Sequence, residues 1–199
     1  MLRRDVRIGV VTSNENKFME LKEIAKNFNI ELEHLRGEKM EIQSDNLEEI
    51  SKTAAYFAYL TFRRPLIVDD SGLFIEILQN FPGPYTNFVK NTIGLKGILK
   101  LLEGVRDRSA YFMTVLTFTD GKIIKTFNGI VKGVISEEIR GNAGFGFDPI
   151  FIPEGEKRTF AEMSLEEKNR YSHRARAFAK FAEFLTSYLE KVQNEQFLK

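Results

Sequence analysis

Two adjacent carboxylates, Asp69 and Asp70, follow the apolar run Leu66-Ile67-Val68 and precede Ser71-Gly72. Like charges side by side are costly unless a cation compensates them. Carboxylate oxygens at the C-terminal end of a buried strand suit magnesium, which keeps several waters and bridges to phosphate. One of the pair can also take a proton from an attacking water. A turn whose Asp caps the next segment accounts for the same residues equally well. A second group, Thr12-Ser13-Asn14-Glu15-Asn16-Lys17, stands where the apolar run Ile8–Val11 meets a helical pattern. The free N–H groups of a helix start bind anions, and Lys17 adds a full positive charge. It lacks the glycines of a Walker-type loop, and taken alone an ordinary N-cap with a solvated lysine is the simpler account.

Two further groups lie in the second half. In Gly144-Phe145-Gly146-Phe147-Asp148-Pro149-Ile150-Phe151 the glycines permit close backbone approach to a ligand, the phenylalanines could stack on a base, and Asp148 could accept hydrogen bonds. A bulged strand with core aromatics is the plainer alternative. Glu166-Glu167-Lys168-Asn169 leads to Ser172-His173-Arg174, where Ser172 is a good N-cap for the last helix. His173 and Arg174 conflict there with the positive end of the helix dipole, a conflict that a bound anion or electron-rich base would relieve. Glu41, after the second strand, could bring a carboxylate to the same crevice as Asp69 and Asp70. His34 has no partner motif and reads as a surface residue.

The elements that must position these groups alternate. Arg7–Thr12 and Glu31–Leu35 read as strands, and 18–28 carries a helical apolar stripe. A second helix is expected over Leu47–Phe62 and a third strand from Pro65 into the carboxylate pair, an α/β pattern. Phe81-Pro82-Gly83-Pro84 reads as a rigid turn, followed by one helix over about Asn87–Leu102. Asp120-Gly121 joins two long strands, Ala110–Thr119 and Ile123–Ile135, as an antiparallel hairpin. An amphipathic helix over Arg174–Val192 ends the pattern.

The 199 residues suffice for one domain, taken as 1–199, with a sizeable core. A formal charge of +1 argues against nucleic acid or an anionic membrane as the main partner, leaving a small anionic molecule. The absence of cysteine excludes disulfides and thiolate metal sites and fits the cytoplasm.

In this order, the five segments resemble the inosine triphosphate pyrophosphatase family. They are Thr12–Lys17, Asp69–Leu73, Phe81–Tyr85, Gly144–Phe151, and Thr159-Phe160-Ala161-Glu162-Met163 through Lys168 to Ser172-His173-Arg174-Ala175. No one of them is specific; their order over nearly the whole chain is. The resemblance implies an elongated mixed β-sheet flanked by helices, two lobes around a central cleft, and a homodimer. It implies magnesium-dependent hydrolysis of ITP, dITP and XTP to the monophosphate and pyrophosphate. Asp70 would be general base and metal ligand, with Glu41 and Asp69 completing the metal site. Lys17 would assist catalysis by holding the leaving pyrophosphate. Thr12, Ser13, Asn14, Glu15, Asn16, Lys17, Ser71, Phe145, Gly146, Phe147, Asp148, Lys168, His173 and Arg174 would contact the nucleotide. Three departures stand out: Ser13 where glycine is common, Phe147 where Tyr is frequent, and Thr86-Asn87-Phe88 where bacterial members carry Ser-Ala-Arg. The last is similar to the archaeal and eukaryotic branch.

Overall fold

β1 (Arg7–Val11), β2 (Glu31–Leu35) and β3 (Leu66–Ile75) form the parallel part of a seven-stranded sheet, in the order β2-β1-β3. The helices that cross between them are α1 (Glu15–Lys26) and α2 (Leu47–Phe62). The computed structural model describes residues 7–37, 39–40 and 42–197. β4 (Phe81–Gly83) pairs with the far end of β3, and β5 (Ser109–Thr119), β6 (Ile124–Ile135) and β7 (Phe151–Pro153) extend the sheet antiparallel. α5 (Leu165–Tyr171) and α6 (His173–Phe197) follow. The mixed α/β sheet flanked by helices is the architecture the sequence pattern implies, and no described helix is long and apolar enough to cross a membrane.

Local chemistry sets the boundaries. Asn14 and Asn46 cap α1 and α2 through side-chain oxygens that accept from Lys17 N (3.1 Å) and Glu48 N (2.8 Å). Ser164 and Glu167 form a reciprocal capping box at α5, and Ser172 Oγ accepts from Ala175 N at the start of α6 (3.1 Å). The single helix expected over 87–102 is two, α3 (Thr86–Thr92) and α4 (Gly94–Leu101). Gly94 adopts φ +66°, a left-handed conformation that no helix continues through.

Three clusters fill the interior. Ile8, Val10, Ile67 and Leu116 pack one face of the sheet against α1 and α6. Val11, Leu66 and Val68 pack the opposite face against Ala54, Ala55 and Ala58 of α2. Leu73, Ile75, Phe112, Phe147 and Phe151 belong to a third core at the far end of β3, a second lobe. β3 therefore runs through both lobes, and its residues 67, 69, 71 and 73 share one face while 66, 68, 70 and 72 share the other.

α6 lies close on the sheet because β6 carries glycine beneath its first turn. A Cβ at Gly129 would sit 2.0 Å from the His173 carbonyl oxygen and 2.5 Å from Ala177 N. Beyond it, Arg176 and Lys180 donate to the backbone carbonyls of Ile130 and Asn128 (both 2.7 Å), so basic side chains cap the strand's outer edge. Gly129→Ala is expected to cost about 1–3 kcal/mol through overpacking and to lower the thermal midpoint. An unchanged Tm by calorimetry would contradict this close approach.

Candidate active site

β1 stops at Val11, opposite Val68, and β4 begins pairing only at Leu73. Between them, among the described residues, Asp69–Gly72 of β3 lack a strand neighbour on that side, while β5 continues unbroken on the other. A cleft of about 910 Å³ opens at this gap. The loop from Thr12 to Glu15, with Lys17, forms one wall, and Phe145–Asp148, Lys168, His173 and Arg174 form the facing wall. Asp70 and Ser71 lie between. Of the residues expected to contact nucleotide, all but Asn16 line this one space.

Alternation along β3 separates the two carboxylates. Asp70 lies opposite Val115, on the face covered by α2, and lines the cleft; its Oδ1 is bound by the Lys39 ammonium and its Oδ2 is buried without a hydrogen-bond partner among the described residues. Asp69 lies opposite Leu116, on the face covered by α1 and α6, and does not line the cleft. Both Asp69 oxygens are taken: Oδ2 by Arg174 Nε (2.9 Å), Oδ1 by Lys17 Nζ (2.8 Å), Ser71 Oγ (3.1 Å) and Arg174 Nη2 (3.3 Å). Asp69 is thus placed as the counter-ion of Arg174 and Lys17. Glu41, the other expected ligand, lies outside the described residues.

The Asp69 pair is the centre of a buried network. Arg174 Nη1 donates to Glu20 Oε2 (2.9 Å) and Nη2 donates to Ser71 Oγ (2.9 Å). Lys168 Nζ bridges Glu20 Oε2 (3.3 Å) and Asp148 Oδ2 (2.8 Å). Three carboxylates (Glu20, Asp69, Asp148) thus meet three cations (Lys17, Lys168, Arg174). Burial alone would raise the Asp69 carboxyl; the Arg174 guanidinium and Lys17 ammonium outweigh it and hold the group far below the usual carboxylate range. Burial likewise opposes ionisation of Glu20, and Arg174 and Lys168 overcome it. At Asp148 burial prevails over Lys168, and Glu20 adds repulsion, so that carboxyl is raised. At the start of α6 the Arg174 charge is met by protein carboxylates. Arg174 spends four of its N–H bonds on them and on Ser71, leaving one of five donors.

His173 is neutral for a different reason. Burial, then the nearby Arg174 and Lys168 charges, push its pKa well below 6.5. Its ring stacks on Phe112, with centroids 4.8 Å apart. The two phenylalanines expected to stack on a base divide. Phe147 is 1 % exposed and packs in the second core, whereas the half-buried Phe145 lies over Lys168 Nζ (4.8 Å) and the Arg174 guanidinium (5.7 Å). The Gly144–Phe147 segment is a turn and not a bulged strand: Gly144 and Gly146 take φ +69° and +66°, and Phe145 N donates to Asp148 Oδ2 (2.8 Å).

The sequence pattern of the Ham1 family matches residues 8–184. The chain belongs to the Ham1 family. The dITP/XTP pyrophosphatase of Saccharolobus solfataricus is 88% identical over 191 residues, 96% of this chain and 100% of that protein. The dITP/XTP pyrophosphatase of Thermococcus kodakarensis is 47% identical over 93% of this chain and 100% of its own length. A solved HAM1 protein from Coxiella burnetii superposes with a TM-score of 0.79 at 28% identity, covering 92% of this chain and 99% of that one. The Staphylococcus aureus Ham1 protein gives 0.77 at 27% identity, covering 92% and 100%.

Three participants in this Ham1 site escape a reading of the sequence by motif. Glu20 sits beside Leu21 and Ile24 on the buried side of α1, so its place in the helical period could have revealed it. Lys39 donates to the Asp69 carbonyl (3.2 Å) and binds Asp70; it lies in an irregular segment with no periodic signal. His34, expected on the surface, instead hydrogen-bonds Thr12 O through Nε2 (2.8 Å) and stacks on Phe18.

Two outcomes follow for this network. Asp69→Asn leaves Arg174 and Lys17 short of a counter-charge and is expected to cost about 3–5 kcal/mol of stability, read by urea unfolding at pH 7. Below pH 6.5 the unfolded chain binds a proton on His173 that the folded chain refuses, so stability falls with falling pH from that point until the depressed folded pKa is reached. His173→Phe should flatten this part of the stability–pH profile, and a profile unchanged from wild type would contradict the neutral imidazole.

Proposed function

We propose that the chain hydrolyses non-standard purine nucleoside triphosphates, ITP, dITP and XTP, to the monophosphate and pyrophosphate, clearing them from the nucleotide pool. It is a nucleoside triphosphate pyrophosphohydrolase. The single observation that carries the reading is the buried, unpartnered Oδ2 of Asp70, held at the gap in β3 beside an amide-rich loop. The dITP/XTP pyrophosphatase names of the near relatives agree with it.

The residues present suit a divalent cation, and we assign it as magnesium. A buried carboxylate oxygen with no proton donor is a hard ligand in search of a cation. Among the described residues no three His, Cys, Asp or Glu side chains are arranged to hold a metal ion by themselves, so an ion here would be held by one or two carboxylates, water and substrate phosphate. Asp70 would hold it, with Glu41 as a second donor. When bound, magnesium would neutralise phosphate charge and polarise phosphorus.

The protein groups then have separable tasks. Lys17 N is capped by Asn14, and the amides of Glu15 and Asn16, the other first-turn donors of α1, would receive the triphosphate oxygens. Lys17 and Lys39 bring positive charge to the cleft beside them. Asp70 orients the attacking water and takes its proton as the bond to the α-phosphorus forms, and pyrophosphate departs against the loop. Phe145 offers the base a face backed by two cations. His173 and the remaining Arg174 donor favour a 6-oxo purine, whose acceptor oxygen satisfies them; adenine's amine would leave them unpaired. We assign the contact of the homodimer implied by the resemblance to the second lobe, where Ile77, Phe81 and Leu101 stand exposed around one groove.

A panel of triphosphates assayed for pyrophosphate, with and without magnesium, tests the function: ITP, dITP and XTP should release it and ATP should not. Asp70→Asn should abolish release yet still bind nucleotide. Near-wild-type turnover in that variant would remove Asp70 from the base role.

A further inference from the structure

The strand β2 does not reach the cleft, yet one of its side chains grips the loop that does. His34 is paired in register with Val10 of β1. Its ring extends past the end of β1, with Nε2 2.8 Å from the carbonyl oxygen of Thr12. A carbonyl only accepts, so Nε2 carries the proton. The ring is held flat against Phe18 of α1, with centroids 4.3 Å apart and planes 13° apart. Its Nδ1 lies 3.6 Å from Glu15 Oε2, whose partner oxygen is bound by Arg36 (3.1 Å). Only 12% of the His34 side chain is exposed. The ring is therefore fixed by the stack on its face and the hydrogen bond at Nε2.

We propose that His34 is a positioning residue for the triphosphate loop. In a planar trans peptide the C=O and the following N–H point in opposite directions. Holding the Thr12 carbonyl toward β2 turns the Ser13 N–H away from β2, toward the cleft that Ser13 lines. The rest of the loop is tied from within: Asn14 N donates to Thr12 Oγ1 and Lys17 N to Asn14 Oδ1 (both 3.1 Å). The Thr12–Ser13 peptide is the hinge between that unit and β1, and His34 sets its rotation. The inference rests on the reading of this loop as the site of the triphosphate.

Inorganic pyrophosphate with magnesium, titrated by calorimetry, probes the loop without turnover. His34→Phe keeps the stacking surface and removes the donor; His34→Gln keeps a donor of similar reach. We expect His34→Phe to weaken pyrophosphate binding about tenfold, the worth of one net hydrogen bond. The KM for triphosphate should rise in parallel while kcat stays near wild type, and His34→Gln should recover most of both losses. Equal pyrophosphate affinity in wild type and His34→Phe overturns the proposal. So does a loss that His34→Gln fails to rescue, or a wild-type protein that binds no pyrophosphate. If His34→Phe does not fold, His34→Met set against His34→Gln makes the same comparison. A wild-type protein that binds pyrophosphate yet cleaves no triphosphate would refute the proposed hydrolysis and leave the role of His34 to be read from binding alone.

Discussion

Arg174 is 1% exposed, and its guanidinium donates to Asp69 of β3, Glu20 of α1 and Ser71. An ion this deeply buried is tolerable only when its donors are met by charge and geometry together. The requirement fixes three elements relative to one another: the last helix cannot shift along the sheet, nor the first helix rotate, without stranding a charge. Lys17 and Lys168 join the same lattice from either wall of the cleft. The cleft walls are thus registered to each other by ion pairs beneath the surface, and the exposed face can be left to the ligand.

The second constraint is topological. β3 is shared by two lobes, but its neighbours on one side, β1 and β4, belong to one lobe each and do not meet. A sheet interrupted on one side and continuous on the other makes a crevice whose base is rigid. Gly72 helps the interruption close tightly at its far end: a Cβ there would lie 2.5 Å from the Gly83 carbonyl oxygen. The resulting site draws on loop, strand, turn and helix, and each contributes a group of a different kind.

Much of this is legible in the chain itself. The loop at Thr12–Lys17 and the carboxylate pair announce themselves because their residue types are locally improbable next to buried strands. Period-two alternation would further divide Asp69 from Asp70, since Ile67 and Val68 already face different cores. What local pattern does not carry is partnership. His173 and Arg174 read as cations awaiting an anion, but only the tertiary fold reveals that His173 is neutral and that Asp69 and Glu20, the latter over 150 residues away, answer Arg174. His34 looks unattached because its contacts are one backbone oxygen and one ring, neither of which leaves a motif. The break at Gly94 was hidden by apolar spacing that continues in phase across it.

β3 is matched to β5 over ten consecutive residues, from Leu66 against Thr119 to Ile75 against Ala110. Sliding that ladder by a single step would invert every side chain of β3. Asp69 would turn toward Lys39 and Asp70 toward Arg174. Both are aspartates, so neither ion pair would look wrong and the acids would simply trade addresses. The open oxygen, however, would stand one residue out of line with the loop from β1. The long pairing acts as a reading frame: it guards which of two chemically identical neighbours is presented, a distinction that composition and charge balance alone have no means to make.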